Sequence, residues 1–231
     1  MATTEQGQIF IVSGPSGSGK TTVVEHLLKV FPDLVFSVSS TTRAPRAGEQ
    51  QGREYCFVSR TEFEAMIARD DLLEYADVFG HLYGTPRRGL AEARRQGKDI
   101  VLDIDVQGAR QVKSRLPEAV AILVLPPSWQ ELERRLRARG LDQPETIQRR
   151  LEQARTEIEN YDTYDYLVVN RRIEDTCVLV EAIVADARYR RCGDGTSSLA
   201  EEVRARAATA RKEANLSQIS AILDTFGAQL Q

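Results

Sequence analysis

The sequence predicts an α/β fold with a mainly parallel sheet, because short apolar runs alternate with segments of helical periodicity. A glycine-rich loop directly after the first apolar run, at residues 14–21, marks this as a phosphate-binding (P-loop) core. Two stretches interrupt the alternation: residues 37–89 are rich in Ser, Thr, Arg, Gly and Tyr, and residues 128–161 are helical and arginine-rich. We interpret them as an inserted substrate lobe and a mobile helical lid.

The composition is that of a soluble globular protein, with 42% hydrophobic and 28% charged residues. A formal net charge of −3 gives no general attraction to nucleic acid or to anionic membranes. The three cysteines lack C-x-x-C spacing, which argues against a disulfide framework and a structural zinc site. No apolar run approaches the roughly 18–20 residues of a membrane helix, and residues 1–7 lack a signal-peptide core. A cytoplasmic protein is therefore expected.

The core elements follow in order along the chain. The first strand is predicted at residues 8–13 and a helix at 20–31, which ends before Pro32. Its apolar face carries Val23, Val24, Leu27 and Leu28. Further buried strands are predicted at residues 100–105, 119–125 and 167–170. We expect a turn at Gly108 after the strand at 100–105.

Two capping-box patterns predict helix starts in the inserted stretches. Ser59 with Glu62 marks one, after a short strand at residues 54–58, and Ser128 with Glu131 marks the other. Residues 142–145 start a further lid helix, whose inward face carries Ile147, Leu151, Ala154 and Ile158.

The chain after residue 192 has a different character. A Gly- and Ser-rich linker is followed by a charged, alanine-rich segment and then by an apolar stripe at helical spacing. The stripe consists of Leu216, Ile219, Ile222, Leu223 and Phe226. Such a face must be buried, so we expect it to dock on the body or on another subunit of a homo-oligomer. The predicted division is a core (1–36, 90–127, 162–191), a lobe (37–89), a lid (128–161) and a helical tail (192–231).

The glycine-rich loop fills every fixed position of G-x-x-x-x-G-K-[ST], with a strand before it and a helix after it. Its backbone N–H groups and the helix dipole suit the phosphates of a nucleoside triphosphate. Lys20 would reach the β- and γ-phosphates, and the Thr21 hydroxyl would help to hold Mg²⁺. The residues assigned to the triphosphate are Gly14, Pro15, Ser16, Gly17, Ser18, Gly19, Lys20, Thr21 and Thr22.

A second anion site is predicted at Arg43 and Arg46, which Pro45 holds in fixed relation. Paired guanidinium forks suit a phosphate monoester, and the nearby Tyr55 offers a neutral donor. Asp103 ends a buried strand, where a carboxylate is costly unless paired. Two residues further on, Asp105 should point to the same side. Whether Asp103 orients water around Mg²⁺ or contacts the acceptor phosphate stays open at this point.

From residue 8 to about 190 the sequence resembles the guanylate kinases. The matching segments are Ser13–Thr21, Ser37–Glu49, Gly52–Phe57, Leu73–Ala76, His81–Thr85, Leu102–Gly108 and Arg135–Gly140. The resemblance implies a P-loop kinase core with an inserted GMP-binding lobe and a helical lid. It also implies Mg²⁺-dependent phosphoryl transfer from ATP to GMP or dGMP, giving ADP and GDP.

The resemblance also implies residue roles. The GMP site would consist of Ser39, Arg43, Arg46, Tyr55, Glu74, Tyr83, Gly84, Thr85, Asp103 and Asp105. Within it Glu74 would accept the adjacent N1–H and amino groups of guanine. Catalysis would rest on Lys20, Arg43, Asp103 and the lid arginines Arg135, Arg139 and Arg150. Asn170 would border the adenine of ATP.

Two alternatives remain at this point. A non-enzymatic guanylate-kinase-like interaction module predicts loss of the phosphate loop or of the lid arginines. A P-loop kinase of a related acceptor, such as a ribose bisphosphate, predicts loss of the guanine-reading residues. The presence of both sets in this sequence argues against each alternative.

Overall fold

A computed structural model of the chain describes residues 6–138, 140, 143–193 and 196–227. The strands are β1 (Ile9–Ser13), β2 (Leu34–Phe36), β3 (Ser40–Thr41), β4 (Cys56–Phe57), β5 (Leu72–Val78), β6 (His81–Pro86), β7 (Asp99–Asp103), β8 (Val120–Leu125) and β9 (Tyr166–Val169). The helices are α1 (Lys20–Val30), α2 (Arg60–Ala68), α3 (Arg87–Arg95), α4 (Val106–Arg115), α5 (Trp129–Ala138), α6 (Pro144–Glu159), α7 (Ile173–Arg191), α8 (Ser198–Ala208) and α9 (Leu216–Gly227). No helix in these ranges is both long and apolar enough to span a membrane.

The core sheet has the order β2-β7-β1-β8-β9, and all four pairings are parallel. Val12 of β1 pairs with Asp103 of β7 on one side and with Ile122 of β8 on the other. All five strands therefore end at one edge. The connection from β1 to β2 runs across the sheet in one direction, and the connections from β2 to β7, β8 and β9 run in the other, so the direction reverses next to β1. Such a switch point opens a crevice at the carboxyl ends of the strands, where α/β proteins bind ligands.

Helices cover both faces of this sheet. Along β1 the side chains alternate, so that Ile9 and Ile11 enter one hydrophobic cluster and Phe10 and Val12 enter the other. The first cluster includes residues of α3, α4, α5, α6 and α9, and the second includes residues of α1 and α7. A strand buried on both faces explains why the run at residues 9–12 is apolar without interruption.

A second, four-stranded sheet has the order β4-β3-β6-β5 and lies within residues 37–89. Its longest pair is the antiparallel hairpin β5–β6, which turns at Phe79 and Gly80 with φ values of 54° and 81°. The hairpin and β2 have no counterpart among the strands predicted from the sequence. In β5 the buried acid Glu74 interrupts the apolar alternation of a strand, and β2 is only three residues long.

The end of β7 corrects the sequence prediction. The strand stops at Asp103, and Asp105 is the N-cap of α4, where its Oδ1 accepts a hydrogen bond from the Gly108 N–H at 2.9 Å. Aspartate is a preferred N-cap, so the helix starts where a longer strand had been expected. The predicted turn at Gly108 is likewise wrong, because Gly108 lies in the first turn of α4.

Both predicted helix starts are confirmed by their side-chain caps. The Ser59 Oγ accepts from the Glu62 N–H at 3.1 Å, and the Ser128 Oγ accepts from the Glu131 N–H at 3.3 Å. The lid helix α6 begins at Pro144, while residue 142 of its predicted start lies outside the described residues. All four residues predicted for its inward face are buried.

The C-terminal helices pack on the body of the chain. The backbone N–H of Leu167 in β9 donates to Ala210 O at 2.8 Å. The apolar stripe of α9 contacts α5 and α6, and Phe226 meets Trp129 edge-on with ring centroids 5.1 Å apart. The Thr225 Oγ1 also accepts from the Trp129 N–H at 3.0 Å. Part of the stripe is therefore core, whereas Leu216 at the helix start stays 46% exposed.

We expect Phe226→Ala to lower the free energy of unfolding by about 3–5 kcal/mol, because it removes a fully buried ring and leaves a cavity beside Trp129. Urea titration measures the change. Leu216→Ala in the same helix is the control and should stay within about 0.5 kcal/mol. Equal small effects of both substitutions would contradict the packing of α9 as part of the core.

Candidate active site

A cavity of about 340 Å³ lies at the carboxyl edge of the core sheet. The loop between β1 and α1, the second sheet and the lid helix α6 form its walls. The residues of the predicted site that line it are Gly14, Ser16, Gly17, Gly19, Lys20, Thr21, Ser39, Arg46, Tyr55, Glu74, Tyr83, Asp103, Asp105 and Arg150. The fold thus brings together the loop after β1, parts of residues 37–89 and helix α6, which are up to 136 residues apart in the chain, counted from Gly14 to Arg150.

The glycine-rich loop is shaped by close backbone contacts. A Cβ at Gly14 would lie 2.1 Å from the carbonyl oxygen of Val124, and the φ of Gly14 is +143°. Only glycine fits there. The Lys20 Nζ donates to Gly14 O at 2.6 Å and to Pro15 O at 3.3 Å, so its charge lies against the loop. Thr22, at the start of α1, is exposed and does not line the cavity.

Asn170 braces the loop from the end of β9. Its side-chain amide donates to Ser18 O at 2.7 Å, and its Oδ1 accepts from the Thr176 hydroxyl at 3.1 Å. Asn170 is 3% exposed and does not line the cavity. The structure therefore gives this residue a contact with the loop, while its contact with an adenine stays a prediction.

The lid arginines occupy different places. Arg150 lines the cavity, and its Nη1 donates to the Ser16 Oγ at 2.9 Å. Arg135 lies outside the cavity lining, where its Nε donates to Glu131 Oε1 at 2.8 Å and its Nη2 donates to Asn170 O at 2.9 Å. Arg139 lies outside the described residues.

The paired arginines belong to a network that the sequence did not reveal. The Arg43 Nε donates to the Tyr83 hydroxyl at 3.1 Å, and its Nη2 donates to Glu49 Oε1 at 2.8 Å. The other oxygen of Glu49 accepts from the backbone N–H of Arg46 at 2.8 Å. The Arg43 guanidinium also lies over the Tyr55 ring, 5.3 Å from its centroid. Glu49 thus orients Arg43 and fixes the backbone at Arg46.

Glu74 is a buried carboxylate in β5, with 3% of its surface exposed. Its Oε1 accepts from the hydroxyl of Thr85, at 2.5 Å, across the β5–β6 hairpin. Burial raises the pKa of Glu74 to about 7, and the nearby Asp105 adds to the rise. Gly84, the neighbour of Thr85, is also buried and would place a Cβ 2.9 Å from the Glu74 carbonyl oxygen.

Asp103 and Asp105 both line the cavity although only Asp103 belongs to the strand. Burial raises the pKa of each carboxyl, and the positive charge of Lys20 opposes the rise. The Gly108 N–H further opposes the rise at Asp105. Cavity acids that are costly to ionise indicate a site whose ligand brings hydrogen-bond donors or cations.

Glu157 of α6 is a further acid of the cavity, and it was not among the residues predicted from the sequence. It lines the cavity, is 8% exposed, and its Oε1 accepts from the Gln153 side chain at 2.9 Å. Burial raises its pKa to about 7. The signal was available, because Glu157 follows Ala154 by three positions and so falls on the buried face of the helix.

Comparisons with known proteins agree with this geometry. The family profile described as "Guanylate kinase" matches residues 6–187. A guanylate kinase of Koribacter versatilis is 50% identical over 227 residues, which cover 95% of this chain and 96% of that protein. A guanylate kinase of Neisseria gonorrhoeae is 52% identical over 174 residues, covering 75% and 85%. The Koribacter alignment therefore extends into residues 192–231, beyond the end of the family match.

A solved structure is similar as well. The crystal structure of guanylate kinase from Anaplasma phagocytophilum aligns with a TM-score of 0.65 and 36% sequence identity, and it covers 78% of this chain and 86% of that one. The similarity supports the arrangement of parallel core sheet and helices described above.

The raised pKa of Glu157 predicts a pH-dependent stability. A carboxyl with a pKa of about 7 in the folded chain and 4.5 as its ordinary value stabilises fully below pH 4.5, and this contribution is lost as the pH rises through 7. Glu157→Gln removes the titration. Relative to the parent, it should gain on the order of 2 kcal/mol in unfolding free energy between pH 5 and pH 8. Glu159→Gln, on the exposed face of α6, is the control. A difference that does not change with pH would contradict the burial of an ionisable Glu157.

Proposed function

Because the chain belongs to the guanylate kinase family, we propose that the cavity at the carboxyl edge of its core sheet is the active site. The protein is a nucleoside monophosphate kinase that transfers a phosphoryl group from ATP to GMP. The main support for the proposed site is that the glycine-rich loop and Glu74 line the same cavity. A phosphoryl transferase needs its donor and acceptor sites within one enclosure.

The donor side is the loop with Lys20. The backbone N–H groups of residues 14–21 and the amino end of α1 would hold the triphosphate, and Lys20 would turn from Gly14 O to its β- and γ-phosphates. Asn170 and Arg135 support this loop from behind, by the contacts at Ser18 O and Asn170 O.

The residues present fit a Mg²⁺ ion that arrives with the nucleotide. The Thr21 hydroxyl and the Asp103 carboxylate, both oxygen donors, line the cavity. Among the described residues no group of three or more His, Cys, Asp or Glu side chains is placed to hold a metal by itself. Thr21 would hold the ion together with phosphate oxygens, and Asp103 would orient its water. When bound, the ion supplies positive charge to the phosphate oxygens.

The acceptor phosphate would lie at Arg43, Arg46, Tyr55 and Tyr83. Glu49 and Tyr83 already fix the Arg43 guanidinium, so little side-chain freedom is lost when the phosphate binds. The base would be recognised by Ser39, Glu74, Thr85 and Asp105. An ionised Glu74 accepts both the N1–H and the amino group of guanine, whereas adenine has an acceptor at N1.

Catalysis would then consist of positioning and electrostatic stabilisation. The attacking phosphate oxygen of GMP is anionic near pH 7, so no general base is needed. Lys20, Arg43 and Arg150 would stabilise the charge that spreads over the transferred group, assisted by Arg135 and Arg139. We propose that residues 37–89 and 128–161 move as lobe and lid against the core formed by 1–36, 90–127 and 162–191, and that closure excludes water.

The two alternative functions are not favoured, because the curated relatives are guanylate kinases at about 50% identity. A cytoplasmic location stays a prediction, which the free cysteines Cys56, Cys177 and Cys192 support. An oligomer through residues 192–231 also stays a prediction. The burial of Ile219, Ile222 and Phe226 within the chain accounts for three of the five residues of the apolar stripe without a second subunit.

Lys20→Met should lower kcat by about 100-fold or more while the chain stays folded, because a charge aimed at the transferred phosphoryl group is lost. Steady-state ADP release measures kcat, and thermal unfolding reports the fold. Lys29→Met, at the exposed end of the same helix, should leave kcat within about twofold. Normal turnover of Lys20→Met would contradict the role proposed for the loop.

Glu74→Gln should raise KM for GMP by about 10- to 100-fold and leave KM for ATP nearly unchanged, because an amide replaces one acceptor oxygen with a donor. Both constants follow from initial rates with one substrate saturating. Glu64→Gln, an exposed residue of α2, is the control. If KM rises equally for both substrates, Glu74 does not read the base.

A further inference from the structure

Gly108 lies where the first turn of α4 meets Glu74. It is buried, and its φ is not in the left-handed region, so the backbone itself tolerates a side chain. A Cβ built at Gly108 would lie 2.4 Å from Glu74 Oε2 and 2.9 Å from Glu74 Cδ. The Glu74 carboxylate therefore rests directly on the backbone of α4, in the space that any other residue would fill.

A Cβ at position 108 could be accommodated only if the Glu74 carboxylate left its present position. Glu74 is 3% exposed, and its other oxygen is bonded to Thr85, which is itself fully buried. Gly108 is also the N-cap partner of Asp105, since its N–H donates to Asp105 Oδ1 at 2.9 Å. Gly108 thus affects both acids that we assign to the base. Its lack of a side chain leaves space for the Glu74 carboxylate, and its backbone N–H binds Asp105.

We propose that Gly108 is a positioning residue for guanine recognition, because the absence of its side chain sets the depth at which the Glu74 carboxylate lies in the cavity. This inference rests on the proposed reading of guanine by Glu74. An alanine would keep the amide that caps Asp105 and would keep the helix. It would displace only the Glu74 carboxylate, which is the movable partner of the contact.

The first test is Gly108→Ala in the full chain. KM for GMP should rise about tenfold or more, KM for ATP should stay within about twofold, and the preference for GMP over IMP should shrink. IMP lacks the amino group that the Glu74 carboxylate would accept from, so a purely structural defect would not change this preference. Gly89→Ala is the matched control, because Gly89 is the third residue of α3 as Gly108 is of α4, and its Cβ would meet nothing within 4 Å.

A double-mutant cycle identifies the contact. Glu74→Asp withdraws the carboxylate by one methylene and makes room for a Cβ at position 108. Adding Gly108→Ala to Glu74→Asp should therefore change KM for GMP by less than about twofold, although it costs about tenfold in the parent. Independent, multiplicative effects would overturn the inference. If Gly108→Ala alone does not fold, recovery of the fold in the doubly substituted chain supports the contact, and failure of both to fold contradicts it.

The experiment separates the inference from the proposed function. If Glu74→Gln affects GMP and ATP equally, the assignment of Glu74 to the base fails. If Glu74→Gln acts on GMP alone but Gly108→Ala leaves KM for GMP unchanged, Glu74 reads the base and only the role of Gly108 fails.

Discussion

The parallel pairing of β1 with β7 and β8 is the constraint on which the site depends. The register that places Val12 opposite Asp103 ends the two strands together, so the glycine-rich loop leaves β1 beside the acids at and after the end of β7. On the far side, β9 ends at the same edge, and Asn170 reaches back to Ser18 O. A shift of one residue in this register would turn the alternating side chains of β1 to the opposite faces and separate the loop from both supports.

Electrostatics supports the substrate recognition that we propose for this cavity. Glu74, Asp103, Asp105 and Glu157 all line one cavity, and burial raises the pKa of each. Ionising them without a ligand is unfavourable, and at Asp103, Asp105 and Glu157 the charge of Lys20 offsets the cost only in part. In the proposed site, a guanine base would supply the hydrogen-bond donors that a carboxylate lacks, while the phosphates would engage the cations. Tight binding would therefore require a ligand that carries both the hydrogen-bond donors of guanine and a phosphate.

Local patterns predicted the parts of this structure that are themselves local. The glycine-rich loop between β1 and α1 was predictable because its glycines and Lys20 lie within eight residues, and the cap at Ser59 because Glu62 is one turn away. The contact of Glu49 with Arg43 spans only six residues, yet it depends on the irregular backbone between them. The contact between Glu74 and Gly108 joins two residues that are 34 positions apart, and no periodicity in the sequence predicts it. The family resemblance implied roles for Glu74 and Arg150, but it did not reveal the contacts that position these two side chains.

We propose that one cavity joins an ATP-binding loop to a site that recognises the guanine base of the accepting nucleotide. The most direct measurement is the rate of ADP release from Mg-ATP with GMP, dGMP, IMP, AMP, UMP or a ribose bisphosphate as acceptor. We expect rapid release with GMP and dGMP, slower release with IMP, and near-background release with AMP, UMP and the ribose bisphosphate. Release with AMP or the ribose bisphosphate at the rate found with GMP would contradict recognition of guanine in this cavity.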